Sequence, residues 1–241
     1  MHGGGTVSPS SVLGVLRKGA WWAADYAYVS WWQVAGLVRR ASADDWLHPE
    51  PRVEPDVLLL PGVYETWKFM HPLARALHDR GHAVHVVDQL GFNAGAIPAA
   101  ADLVAEQILA EDLRDVVIVA HSKGGLIGKT VMGRPDVGDR VAGMVAINTP
   151  FAGSPYARWI PLRSVRTFLP TDEVLTALQA QQVPNHRITS VYTRFDPHIP
   201  GGSELVGAHN VQLATPGHFR VLSDPELVPL LVEELARRVP R

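Results

Sequence analysis

The chain has 241 residues, 46% of them hydrophobic and 19% charged, with 22 basic against 24 acidic side chains. That size and balance suit one sizeable globular domain, or a domain with a short extension, that buries its core without staples. The slight acidic excess excludes a broad electrostatic surface for nucleic acid. The absence of cysteine removes thiol catalysis and cysteine-based metal sites.

Taken in chain order, the first residues, Met1 to Ser11, include no basic side chain and so lack the charged n-region of a secretory signal. A cytoplasmic location is expected, with peripheral membrane association as the second reading. Four of the seven tryptophans stand in two pairs, Trp21–Trp22 and Trp31–Trp32. The segment Gly19–Val38 is long enough to span a bilayer, but Asp25 in its middle costs about 2.5–3.5 kcal/mol on insertion scales. Its aromatics spread over most directions of a helical wheel. Residues 12–40 are therefore predicted to be a helix packed on the body of the protein, with membrane-surface contact as the alternative. Trp46–Asp56, rich in acids and prolines, reads as a linker.

From Val53 onward the pattern becomes short apolar runs alternating with helical stretches. Strands are predicted at Val57–Leu60, Ala83–Val87, Val116–Ala120, Val141–Ile147, Ile188–Thr193 and Val211–Ala214. Helices are predicted at Trp67–Arg80, Ala99–Glu111, Gly124–Gly133, Asp172–Gln181 and Pro225–Arg238, the last with Asp224 as N-cap and Pro225 at its first position. Nearly continuous apolar strands indicate a sheet covered on both faces. The alternation indicates a doubly wound, mostly parallel α/β fold. Residues 1–52 form a helical extension and linker, and residues 53–241 the catalytic domain. In such sheets the site lies beyond the carboxyl ends of the strands.

The segment Val116–Thr130 runs from a buried strand through a glycine-bearing turn into a helix, an outline shared by two different machines. One is a nucleophile elbow centred on Ser122, with small residues at Ala120 and Gly124. The other is the end of a phosphate loop, with Lys129 on phosphate and Thr130 on magnesium. A phosphate loop needs glycine where Lys123 stands, and an acidic residue on a following strand that instead ends Ile147-Asn-Thr-Pro. Spacing favours the elbow.

A serine needs a general base, and the base needs an orienting acid, in chain order Ser, acid, His. Asp196 follows the fifth strand and His218 the sixth. His198 and His209 are the nearest rivals for the base. Asp172, Glu173 and Glu204 are the rivals for the acid, the first two reading as helix-cap residues. His121 belongs to the elbow and is expected to support the turn. Oxyanion donors are expected from the backbone N–H of Lys123, whose side chain is expected to be solvated, and of Val63, with Tyr64 as fallback.

These stretches resemble the α/β-hydrolase family, and among its members the compact bacterial lipases and esterases, of the triacylglycerol lipase kind. The resemblance is carried by Leu60-Pro-Gly-Val63, Ala120-His-Ser-Lys-Gly-Gly125, Asn148-Thr-Pro-Phe-Ala-Gly-Ser154, Asp196-Pro-His-Ile-Pro200 and Gly217-His218. It implies a Ser122–His218–Asp196 triad, oxyanion amides on Val63 and Lys123, and no cofactor or metal. It also implies hydrolysis of apolar acyl esters through an acyl-enzyme, on a small-molecule or lipid ester substrate. An acyltransferase or thioesterase on the same triad and a non-catalytic binding protein are the alternatives. Pro61 departs from the family, where many members carry His before the glycine. The N-terminal aromatic helix has no counterpart in the smallest lipases. Residues 148–184 are expected to form a small lid. Tyr64, Phe151, Trp159 and Ile199 are expected at the substrate pocket, while Tyr156, Ile160, Leu162, Phe168 and Leu169 either extend it or cover the sheet. Residues 1–52 are expected to stand apart from the chemistry.

Overall fold

The computed structural model describes residues 9–38, 42–182 and 184–238. The six strands are β1 (Val57–Leu60), β2 (Val84–Val86), β3 (Val116–His121), β4 (Val141–Ile147), β5 (Ile188–Thr193) and β6 (His209–Leu213). They form one sheet in the order β2-β1-β3-β4-β5-β6, with every neighbouring pair parallel. The helices are α1 (Pro9–Val38), α2 (His71–His78), α3 (Ile97–Ala110), α4 (Lys123–Met132), α5 (Arg163–Arg166), α6 (Glu173–Ala180) and α7 (Leu227–Ala236).

Side chains alternate across a strand, and the two faces fill separately. Leu58, Leu60, Ile118, Ala120, Met144 and Ala146 share one core with α3, α4 and α6. Val57, Leu59, Val117, Val119, Val145 and Ile147 share the other with α2 and α7, joined by Tyr28, Val29 and Trp32 of α1. Both faces of the sheet are thus covered, which explains why its central strands read as continuous apolar runs. No described helix is long and apolar enough to cross a membrane, and Asp25, the charge that argued against a span, is fully buried within α1.

The elements differ from expectation mainly at their ends. The second helical stretch opens as a 3-10 turn, Trp67–Met70, before α2 begins. The last helix starts at Leu227, later than Pro225, and Asp224 instead accepts the Glu226 N–H at 2.8 Å in the preceding turn. Asp172 does cap α6, accepting from Val174 and Leu175. Arg39 and Arg40, the end of the expected first helix, lie outside the described residues.

The chain winds from β1 to β2 on one side and then returns to β3 on the other. The strand order therefore reverses between β1 and β3, and a crevice opens at their carboxyl ends. There α4 comes close to β1. A Cβ on Gly124 would stand 2.2 Å from the Leu60 carbonyl oxygen, so glycine is required by contact with backbone that cannot swing away. Gly124→Ala is expected to destabilise the fold by about 1–3 kcal/mol, as overpacked sites do. Gly95→Ala, where an added Cβ meets nothing within 4 Å, is expected to be neutral. Urea unfolding of the two variants checks this, and equal midpoints would contradict it.

Candidate active site

Ser122 sits between β3 and α4 with φ of 50° and ψ of −118°, a conformation that costs a non-glycine residue energy and persists only when its surroundings impose it. Its N–H donates to the Ile147 carbonyl at 2.8 Å, at the end of neighbouring β4. The turn lifts its hydroxyl towards the loop after β6. Ser122 Oγ lies 3.0 Å from His218 Nε2, and His218 Nδ1 lies 2.7 Å from Asp196 Oδ2. All three residues are buried. The other Asp196 oxygen accepts the N–H groups of His198 (2.7 Å) and Ile199 (3.0 Å), which pins the carboxylate in its own loop.

Burial acts against charge on both members of the pair, and the pairing overrides it. Burial raises the Asp196 pKa, but the charge and hydrogen bond of His218 leave it below the usual carboxylate value. Burial lowers the His218 pKa, but the charge and hydrogen bond of Asp196, with Glu65 and Asp25 beyond, leave it above the usual imidazole value. The rivals have other roles. Burial, with the charge of His218, pushes His198 down to about 4, so its imidazole is neutral. His209, on the edge strand β6, pairs with Glu234 of α7, Asp172 caps α6, and Glu204 accepts from the Tyr192 hydroxyl.

His121 supports the elbow through both ring nitrogens. Nε2 donates to the His218 carbonyl at 3.0 Å, and Nδ1 lies 3.0 Å from Glu65 Oε2. The same Glu65 oxygen accepts the Gly62 N–H at 2.7 Å. A Cβ on Gly62 would come within 2.9 Å of the Glu65 carboxylate, so this glycine makes room for the acid. The chain Gly62–Glu65–His121–His218 thus ties the loop after β1 to the loop after β6. Asn148, also in a positive-φ turn, adds another tie: its amide donates to the carbonyls of Gly217 (3.1 Å) and His218 (3.0 Å) while its oxygen accepts the Thr193 N–H.

Lys123 corrects the expectation of a solvated side chain. It is fully buried, and Nζ donates to the carbonyls of Asn93 (2.7 Å) and Gly95 (2.5 Å), with burial pushing its pKa down to about 8. Asn93 in turn donates to the Pro61 carbonyl, so Lys123 braces the loop next to Val63. Among the described residues, no acceptor takes the N–H of Val63 or of Lys123. Lys129, the other lysine of this segment, is buried in α4, and Thr130 donates its hydroxyl to the Leu126 carbonyl.

The segment after β4 divides in two. Phe151 and Phe168 are buried in the core beside α4 and α6, and Ile199 is buried in the Asp196 loop. Tyr156, Trp159, Ile160 and Leu162 are exposed, Trp159 by 72%. Tyr64 is also exposed and its hydroxyl meets that of Ser164 on α5.

A sequence profile described as the alpha/beta hydrolase family matches residues 57–238. The chain belongs to the alpha/beta hydrolase family. No curated protein matches it. Solved alpha/beta structures similar to it include the mature lipase BlEst2 of Bacillus licheniformis (16% identity, TM-score 0.63, covering 78% of this chain and 94% of that one). The monoacylglycerol lipase of Paleococcus ferrophilus is also similar (15%, TM-score 0.56, 79% and 96%). So is the type II thioesterase BorB from the borrelidin biosynthetic cluster (18%, TM-score 0.53, 81% and 98%). At these identities the likeness is one of fold.

Glu65 was not singled out by its sequence context, because its partners are a main-chain N–H and a histidine far along the chain. Glu65→Ala strands both in a buried setting, at about 1–3 kcal/mol for each group left without a partner. Urea unfolding should register that loss. A change below about 0.5 kcal/mol, the size typical of an unconstrained surface site, would contradict the assignment.

Proposed function

We propose that this hydrolase cleaves carboxylic esters with apolar acyl groups through a Ser122 acyl-enzyme. The observation that carries the reading is the unbroken hydrogen-bonded line from Ser122 through His218 to Asp196, with the serine held on a positive-φ turn. In this mechanism His218 Nε2 takes the hydroxyl proton as Oγ attacks the acyl carbon, then returns it to the departing alcohol. Water then attacks the acyl carbon as His218 takes its proton; the bond to Oγ breaks, the acid leaves, and His218 returns the proton to Ser122 Oγ. Asp196 keeps Nδ1 protonated and stabilises the imidazolium. The N–H groups of Val63 and Lys123 serve the oxyanion, where one donor is worth about 10²–10³ in rate.

The exposed Tyr64, Tyr156, Trp159, Ile160 and Leu162 supply apolar surface for the acyl or alcohol part. Phe151 and Ile199, both buried, would contribute only from within the core. Exposed Leu16, Trp31 and Val34 on α1 are the side chains with which this helix would meet a lipid surface. The likeness to a thioesterase makes an acyl thioester the second substrate to try, and faster turnover of thioesters than of matched esters would favour it.

Ser122→Ala is expected to reduce hydrolysis of p-nitrophenyl butyrate and octanoate by about 10³-fold or more while the fold persists. A fluorophosphonate should add one label, on Ser122. Hydrolysis by the variant at the wild-type rate would sink the nucleophile assignment. Because the base must be neutral and its pKa is raised above the ordinary 6.5, kcat/KM should rise with pH along an acid limb centred above that value. A limb below 6.5 would contradict the pairing with Asp196.

A further inference from the structure

The carboxylate of Asp25, fully buried in the middle of α1, accepts three consecutive main-chain N–H groups. Oδ2 takes His218 at 2.8 Å, and Oδ1 takes Phe219 and Arg220 at 2.9 Å each. These partners lie 193 to 195 positions away in the chain, and Asp25 stands outside residues 57–238, which match the family profile.

We propose that Asp25 is a positioning residue for the general base: it fixes the backbone of His218 so that the imidazole stays aligned between Asp196 and Ser122. This rests on the catalytic reading given above.

Two further observations converge on the same role. Gly217 has φ of +119°, and a Cβ there would stand 2.5 Å from Asp25 Oδ1, so the residue before His218 is shaped to admit this carboxylate. Neighbouring side chains of α1 grip the Asp196 loop. The Trp21 ring lies 5.4 Å from that of Phe195, and Trp22 and Tyr26 lie 5.7 and 5.8 Å from His198, whose own ring is 4.9 Å from His218. One helix therefore holds both the acid loop and the base loop. The charged and titratable groups facing His218 are Asp196, Glu65, Asp25, His198 and His121; among them Asp25 acts on the main chain as well as through its charge.

A carboxylate that served only to dock α1 would affect stability alone. The test compares Asp25→Asn and Asp25→Ser with Trp32→Ala, which removes a side chain that packs α1 against the core shared with α2 and α7 and leaves Asp25 in place. Asp25→Asn keeps the shape but turns an amide towards N–H donors. Both Asp25 variants are expected to lower kcat for p-nitrophenyl butyrate about 10–100-fold, the scale of a small misplacement of reacting groups, with KM within about twofold. The acid limb of kcat/KM should move to lower pH, and fluorophosphonate labelling of Ser122 should slow in parallel. Trp32→Ala is expected to lower the Tm while keeping kcat and the limb. Wild-type kcat and limb in folded Asp25→Asn or Asp25→Ser would overturn the proposal. So would an equal loss of kcat in Trp32→Ala, which can be read even if the Asp25 variants do not fold. A wild-type protein that neither hydrolyses the ester nor takes the label would overturn the catalytic reading itself, and this assignment with it.

Discussion

A carboxylate removed from water must be met by donors, and three carboxylates here satisfy that condition around one imidazole. Asp196, Glu65 and Asp25 are all buried, and each accepts main-chain N–H groups: His198 and Ile199, Gly62, and His218 to Arg220 respectively. An unpaired buried carboxylate would be prohibitive, so each of these contacts obliges its loop to hold one conformation. The loops after β1, β5 and β6 are thereby fixed relative to each other by the need to satisfy charge. Rigidity is useful in such a site, because donors and bases already in place need no reorganisation when charge develops.

The sheet determines where that arrangement forms. All strands run parallel, so every loop at their carboxyl ends meets at one edge, and the reversal of order between β1 and β3 leaves a crevice there. Steric limits then place the serine. Gly124 and Gly125 let α4 press against the Leu60 carbonyl and the Thr149 side chain, where a Cβ would come within 2.2 and 2.0 Å. That close approach fixes the head of α4 beside β1, directly after Ser122.

Much of this is legible in the sequence because it is local. Strand followed by serine and two glycines, strand followed by Asp196, strand followed by Gly217-His218: each is a short pattern, and the architecture supplies the convergence. What escapes is non-local and addressed to the main chain. Asp25 sits in an aromatic helix as a lone acid, and its three partners are backbone groups that carry no sequence signature. Residues 1–52 therefore read as separate from the site, although one of them hydrogen-bonds to the His218 N–H. Lys123 escapes for the same reason: a lysine beside a nucleophile reads as solvated, while its actual acceptors are the carbonyls of Asn93 and Gly95. The apolar residues after β4 divide as packing dictates, Phe151 and Phe168 joining the core and Trp159 remaining outside, and their hydrophobicity alone does not separate the two groups.

The α1 helix makes a second contact with the site that gives the first its geometric force. Gln33 donates to the Tyr64 carbonyl at 2.7 Å, in the loop that carries Val63. A helix rises about 1.5 Å per residue, so the step from 25 to 33 separates its two anchor points by about 12 Å. The loop after β1 and the loop after β6 are therefore spanned by one stiff element, while Glu65 and His121 also join them. A strut and a separate hydrogen-bonded tie limit both spreading and shear between the two loops. Neither connection alone would do so, since a hydrogen bond resists extension but leaves rotation open. The tryptophans of α1 fit this geometry as the means of seating the strut. Trp21 rests on Phe195, and Trp22 stacks on Tyr26 against His198, so large, stiff side chains fix where along the helix the carboxylate of Asp25 falls.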